Sequence, residues 1–156
     1  MSACKLTLPL LLGLAALGGC GRPFDVKPSS RFVELEEESA VYDYRATTAD
    51  GVVVGIRAVE IDPDRGGNLS FWVEAIEQRM RRIGGYALLG KADVRAGSLR
   101  GKQLRFGRDE GERPYRYSVS LFIDDDYLYV VEAGGAQEVF DRSARDVQRL
   151  IGSIRR

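Results

Sequence analysis

Late in the chain Tyr115, Tyr117, Val119, Leu121 and Ile123 alternate with Arg116, Ser118 and Ser120. Side chains on a strand point to opposite faces with a period of two, so this stretch reads as a strand with one buried face and one wet face. A lone strand leaves its backbone N–H and C=O groups unpaired and therefore needs neighbours. Residues 86–95, 99–106 and 127–133 supply them. The connections, Ala96-Gly97-Ser98, residues 107–114 and Asp124-Asp125-Asp126, are short. Connections of that length make an antiparallel meander.

Upstream, residues 32–36 form a short strand. Residues 41–47 form another, with Tyr42, Tyr44 and Ala46 on one face and Asp43 and Arg45 on the other. Ala49-Asp50-Gly51 is a hairpin turn, because Asp-Gly supplies the positive φ that tight hairpins need. The return strand covers 52–61. Asn68 is a fitting N-cap for a helix over 69–83, whose Leu69, Trp72, Val73, Ile76, Met80 and Ile83 form one stripe. Gly84-Gly85 stops it. A last helix over 141–154 aligns Ala144, Val147, Leu150, Ile151 and Ile154 and lies on the sheet. A chain of 156 residues holds one ordinary domain. The order hairpin, helix, meander of about four strands and C-terminal helix predicts an α+β fold built on an antiparallel sheet.

The N-terminus has the grammar of a secretory signal: Lys5, then an apolar run from Leu6 to Leu17, then Gly18, Gly19 and Cys20. The run is short of the roughly 20 residues needed to span a bilayer. Leu17-Gly18-Gly19-Cys20 resembles the bacterial lipobox. The resemblance implies cleavage between Gly19 and Cys20, diacylglycerol on the Cys20 thiol and an acyl chain on its new amine. Several acyl chains anchor firmly where one binds marginally. The chain then divides into a signal peptide (1–19), an acylated cysteine with a flexible tether (20–30) and a domain (31–156). Cys4 leaves with the signal, so no disulfide can form in the mature protein. Gly21 after the cysteine leans toward the outer membrane, facing the periplasm. The prolines and serines of residues 21–30 read as the tether.

In its element order, and in Ile83-Gly84-Gly85-Tyr86 between helix and meander, the chain resembles the PsbP-like superfamily, which includes extrinsic photosystem II proteins, the envelope protein DcrB and a Ran-binding import factor. The resemblance implies a fold that mostly serves as a binding adaptor. No functional motif matches residue for residue, so no site residue follows from it.

Composition removes several chemistries. Lys plus Arg equals Asp plus Glu at 23, so no basic footprint for nucleic acid shows in the totals. Histidine is absent, which removes the usual general base, His-based triads and the commonest metal ligand. Asp62-Pro63-Asp64-Arg65-Gly66-Gly67-Asn68 begins like a calcium loop, but position 12 is Val73 where a bidentate Glu belongs, so it reads as a solvated turn. Asp124-Asp125-Asp126 reads as a hairpin tip. There is no Gly-x-Ser-x-Gly, Ser-x-x-Lys or phosphate loop. The expectation is a protein that is not an enzyme, with no metal and no cofactor beyond the lipid on Cys20.

Six of the seven tyrosines occur as Tyr-x-Tyr pairs: Tyr42/Tyr44, Tyr115/Tyr117 and Tyr127/Tyr129. They form either a half-buried ladder within the sheet or part of a partner surface. Tyr127 and Tyr129 are the candidates for the second role, because Leu128 and Val130 compete with them for the core. Arg142, Arg145 and Arg149, followed by Arg155 and Arg156, make either a solvated helix face or a contact for anionic headgroups or an acidic partner. The resulting reading is a membrane-anchored envelope lipoprotein whose domain is a non-catalytic adaptor for another envelope protein. The alternative is a periplasmic carrier of a small molecule or lipid. An exposed aromatic patch rimmed by Arg favours the adaptor, and an enclosed pocket lined by Trp72, Tyr and Leu favours the carrier.

Overall fold

The computed structural model describes residues 21–36, 39–62, 67–111 and 113–156. The signal segment, Gly19, Cys20 and residues 63–66 of the acidic turn lie outside them. The elements are β1 (Phe32–Glu34), β2 (Tyr44–Thr48), β3 (Val53–Glu60), α1 (Leu69–Arg82), β4 (Ala87–Ala96), β5 (Leu99–Glu110), β6 (Arg113–Ile123), β7 (Tyr127–Ala136) and α2 (Gln137–Ser153). All strands join one antiparallel sheet in the order β1-β2-β3-β7-β6-β5-β4. This is the expected α+β architecture. The hairpin and the meander fuse because β7 returns to pair with β3 over eight residues, from Val53↔Gly134 to Glu60↔Tyr127.

The two helices lie on opposite faces. Val147, Leu150, Ile151 and Ile154 of the α2 segment cover Tyr44, Ala46, Val54, Ile56, Tyr129 and Val131. Val73 of α1, with Trp72, Ile76 and Met80 half-buried beside it, covers Leu104, Phe106, Val119, Leu121, Leu128 and Val130. Consecutive residues of β7, Leu128 to Val131, are therefore all buried. A strand covered on both sides loses its polar alternation.

Asn68 caps α1 by accepting from the Phe71 N–H at 3.0 Å. Gly51, at φ +93°, makes the β2–β3 turn. Several expectations change. Ile83 caps α1 at its C-terminus and is 77% exposed instead of lying on the buried stripe. Residues 107–110 are not loop, because the β5–β6 ladder continues to Glu110↔Arg113. α2 begins at Gln137, directly from β7 and without a side-chain cap, because Val139 and Phe140 already pack on the core.

The largest correction concerns the tether, read as residues 20–30. Phe24 and Val26 are core residues. Asp25 pairs with Arg155 through two backbone hydrogen bonds, of 2.7 and 2.8 Å. The Lys27 N–H donates to Ser153 Oγ at 3.0 Å. Apolar residues between prolines were enough to dock the strand-like segment beside α2. Among the described residues no helix is long and apolar enough to cross a membrane.

Candidate functional site

α1 packs on β4, β5 and β6. On the same side, β1, β2 and β3 leave apolar residues in solvent: Val33, Val53 and Val59 are all exposed. The ladders align Val33 and Val53 in a row that crosses five strands, Val33↔Thr47↔Val53↔Gly134↔Tyr117, and Val59 lies further along β3, opposite Leu128. The neighbouring row is Arg45↔Gly55↔Glu132↔Val119.

Where this open half meets α1, a cleft of about 310 Å³ is lined by Tyr42, Gly55, Tyr86, Tyr115, Tyr117 and Gly134, among others. Two glycines shape it. A Cβ on Gly55 would stand 2.6 Å from the Tyr42 ring, and one on Gly134 would stand 2.7 Å from the Tyr117 ring. Each ring therefore lies flat on a strand only because the residue beneath has no side chain. Tyr86, at the junction of α1 and β4, stands 5.6 Å from Tyr117 and 6.2 Å from Phe106 between ring centroids. The Arg108 guanidinium covers its other side at 5.5 Å.

Tyr117 Oη donates to Glu132 Oε1 at 3.0 Å. Burial, reinforced by the Glu132 charge, holds the Tyr117 phenol far above its ordinary range. Burial and Glu132 raise Tyr42 as well, with Arg57 opposing. Both phenols are therefore neutral hydrogen-bond donors at physiological pH. Among the described residues, Arg45 and Arg57 have no carboxylate within ion-pair distance. The Arg57 Nε is also buried without a hydrogen-bond partner. An unsatisfied buried donor costs about 1–3 kcal/mol, more when charged. Arg116 lines the cleft, but its guanidinium turns to Asp141 on the α2 side, Nε to Oδ1 at 3.8 Å. The arrangement is an aromatic recognition surface beside two arginines, Arg45 and Arg57, that lack a carboxylate partner among the described residues. It presents no serine, cysteine or lysine among its lining residues.

The expected interaction residues are elsewhere. Tyr129 is 2% exposed, packs edge-on against Phe24 and donates to Asp124 Oδ2 at 3.0 Å, so it is core and not surface. Tyr127 is half-buried beside it, with ring centroids 6.0 Å apart. Both point to the α2 face, and Leu128 and Val130 point to the α1 face; Tyr129 is taken up by the core, whereas Tyr127 keeps part of its surface in solvent with its hydroxyl turned to Glu60. Arg142, Arg145 and Arg149 are exposed along α2. Arg149 pairs with Asp146, whose carboxylate also meets Arg31 at 3.4 Å, and Arg142 lies near Asp50 of the β2–β3 turn. The structure does not gather these arginines with Tyr127 and Tyr129. Tyr42 and Tyr44 also separate: Tyr42 precedes β2 and lies over Gly55, whereas Tyr44 is buried on the α2 face. Asp124 forms the hairpin tip, accepting from the N–H groups of Asp126 and Tyr127 at 2.9 and 2.8 Å. Its other oxygen takes Tyr129 and Arg156, so neither oxygen is left for a cation.

A second hollow, of about 480 Å³, lies between α2 and strands β5 and β6. Leu89, Phe106, Phe140 and Val147 line it beside Gln103 and Gln148; Gln148 donates to Gln103, and Gln103 donates to Ser120, each at 3.0 Å.

One antiparallel sheet, with a helix on each face and the crossover α1 carrying the chain from the hairpin to the far edge, is a PsbP-like fold. The solution structure of cyanobacterial PsbP (CyanoP) from Synechocystis sp. PCC 6803 superposes with a TM-score of 0.56 at 12% identity, over 91% of this chain and 98% of that one. The crystal structure of LpqN, involved in cell envelope biogenesis of Mycobacterium tuberculosis, superposes with a TM-score of 0.68 at 12% identity, over 88% of this chain and 86% of that one. A protein from Bacteroides thetaiotaomicron VPI-5482 matches with a TM-score of 0.53 at 16% identity, over 85% of this chain and 44% of its own. No family model and no curated protein sequence matches the chain.

Proposed function

We propose that this protein is a lipid-anchored cell-envelope protein whose domain binds another envelope protein without catalysing a reaction. The observation that carries the binding role is the open cleft of Tyr42, Tyr86, Tyr115 and Tyr117, contiguous with exposed valines and with Arg45 and Arg57. Tyr and Arg are the residue types enriched at protein interfaces, and contiguous exposed apolar surface marks a contact. The envelope location is supported by the lipobox ending at Cys20 and by the part LpqN plays in cell envelope biogenesis.

The geometry suits an anchored adaptor. The fold begins at Phe24, so acylation of Cys20 would leave about 14 Å of extended chain between lipid and core. Phe24 packs at Tyr129, near the start of β7, and the cleft lies at Gly134, five residues further along the strand, or roughly 17 Å. The domain is thus held close to the bilayer by its first residues, and the cleft opens on the sheet face opposite the one Phe24 packs on. The carrier alternative would use the hollow beneath α2, whose lining mixes Gln103 and Gln148 with Leu89, Phe106, Phe140 and Val147.

Two measurements test the proposal. Cys20→Ala should release the chain from the membrane fraction and abolish acyl labelling; retained association with labelling refutes the anchor. Crosslinking in intact cells from a photoreactive residue at Tyr115 should capture a specific envelope protein, and repeated recovery of none refutes the adaptor.

A further inference from the structure

We propose that the open half-sheet beside α1 seats one amphipathic helix of a partner protein, and that this helix brings carboxylates to Arg45 and Arg57. The inference rests on the adaptor reading and names the chemistry of its partner.

The first argument is size. α1 already covers Leu128 and Val130 of β7, so β1, β2 and β3 remain, two strand spacings of about 4.8 Å or roughly 10 Å, and a helix with its side chains is about 10–12 Å across. The rest of that face is occupied by α1, so one more helix would complete the layer. The second argument is surface character. Val33, Val53 and Val59 are exposed on this half; Thr47 lies between Val33 and Val53, and Gly134 beyond Val53 adds no side chain. An amphipathic helix covers such a surface with its apolar stripe.

The third argument is charge. Arg45 and Arg57 stand on the same half-face without an acidic partner among the described residues, and the Arg57 Nε is buried and unbonded. The nearby carboxylate, Glu132, already accepts from Tyr117. Docking an uncharged helix would bury the two guanidinium groups further without compensation, whereas a helix bearing Asp or Glu would satisfy them. A second copy of this chain is a poor occupant. Both of its helices use their apolar stripes on their own sheet, so neither has one to offer.

The test uses the full-length protein in its membrane, with a photoreactive phenylalanine analogue at Val53 and the crosslinked peptide sequenced by mass spectrometry. The expected product joins Val53 to a partner segment with apolar residues at helical spacing and Asp or Glu on the facing side. Its yield should fall about tenfold in Arg45→Glu/Arg57→Glu, equivalent to about 1.4 kcal/mol, with membrane association and thermal unfolding unchanged. It should recover when the partner's carboxylates are changed to Arg. If the double reversal misfolds, Arg45→Gln/Arg57→Gln decides, with a loss of at least about threefold expected. Crosslinking to a second copy, to lipid, or to a segment without carboxylates overturns the proposal. So does a yield that ignores both arginine variants. If Tyr115 captures a protein and Val53 does not, the helix seat is wrong and the adaptor stands; if neither does, both fail.

Discussion

Replacing Phe24 with alanine measures whether residues 24–27 belong to the fold. Phe24 is 3% exposed, meets the Tyr129 ring edge-on at 6.3 Å and lies beneath the Arg22 guanidinium at 5.6 Å. A buried Phe removes roughly 150–200 Å² from water, about 4–5 kcal/mol at 25 cal/mol per Å², and Phe→Ala in cores costs about 3–5 kcal/mol. A chain end has an escape, because the segment can detach. Detachment gives up the two Asp25–Arg155 bonds and the burial of Val26, but recovers about 1–2 kcal/mol of backbone entropy per residue released. The expected net loss is therefore about 2–4 kcal/mol. For a domain of this size that is roughly 8–15 °C in Tm, read by calorimetry or circular dichroism on the purified protein. Phe71→Ala, at an exposed position of α1, is the control and should stay within about 0.5 kcal/mol. If Phe24→Ala melts with the control, the segment is a tether and its packing against α2 contributes nothing.

Three further outcomes follow from individual side chains. Asn68→Ala removes the α1 cap and should lower stability by about 1 kcal/mol, seen as a reduced urea midpoint at constant m-value. At Asp124 burial raises the carboxyl, but the Asp126 and Tyr127 N–H groups, the Tyr129 hydroxyl and Arg156 outweigh it and hold the value below the ordinary one. A folded value below the unfolded one gives stability that is full above about pH 4 and lost as pH falls through the lower folded value. Asp124→Asn should flatten that acid loss, and an unchanged slope of urea midpoint against pH contradicts the assignment. The Tyr44 phenol is pushed up to about 12 by burial and by Glu34, against Arg22. Its contribution is full below its ordinary value near 10 and lost as pH rises toward 12. Tyr44→Phe should weaken that alkaline loss and remove one late-ionising phenol from the tyrosinate absorbance titration; a titration curve identical to the parent's refutes it.

The alternation in β6 and the stripes on α1 and α2 made the sheet, the helices and their order legible, because each period reports which side meets a core. Boundaries were less legible where two rules compete. Arg108 and Asp109 look like loop but belong to a ladder that runs past the core into solvent, and α2 starts without the cap residue that announces a helix. The site was missed for a related reason. Spacing alone makes Tyr127 and Tyr129 compete with Leu128 and Val130 for a single core, whereas helices cover both faces of β7. The open face was not recoverable from the turn: a three-residue tip at Asp124–Asp126 would put Ala133 opposite Tyr117, whereas Asp124 pairs with Tyr127 and the ladder puts Gly134 there, a bare residue beneath a large ring. Nothing local signals that Tyr42 folds back across Gly55, or that Arg45 and Arg57 share an uncovered half-sheet, since both depend on which strands α1 leaves bare.

The Asp25–Arg155 bridge also has a mechanical side. A pull applied at Gly21 meets first the Arg22 side chain, paired with Glu34 of β1 and stacked on Tyr44 of β2. It next loads the Asp25–Arg155 clasp and the Phe24 contact, then Lys27 at Ser153, then Ser29 and Arg31 at Asp146. Those contacts would open one after another, as a peel along α2 and not as a concerted shear. Beyond that Arg22 contact, tension at the N-terminus is taken up by the seam between the two chain ends.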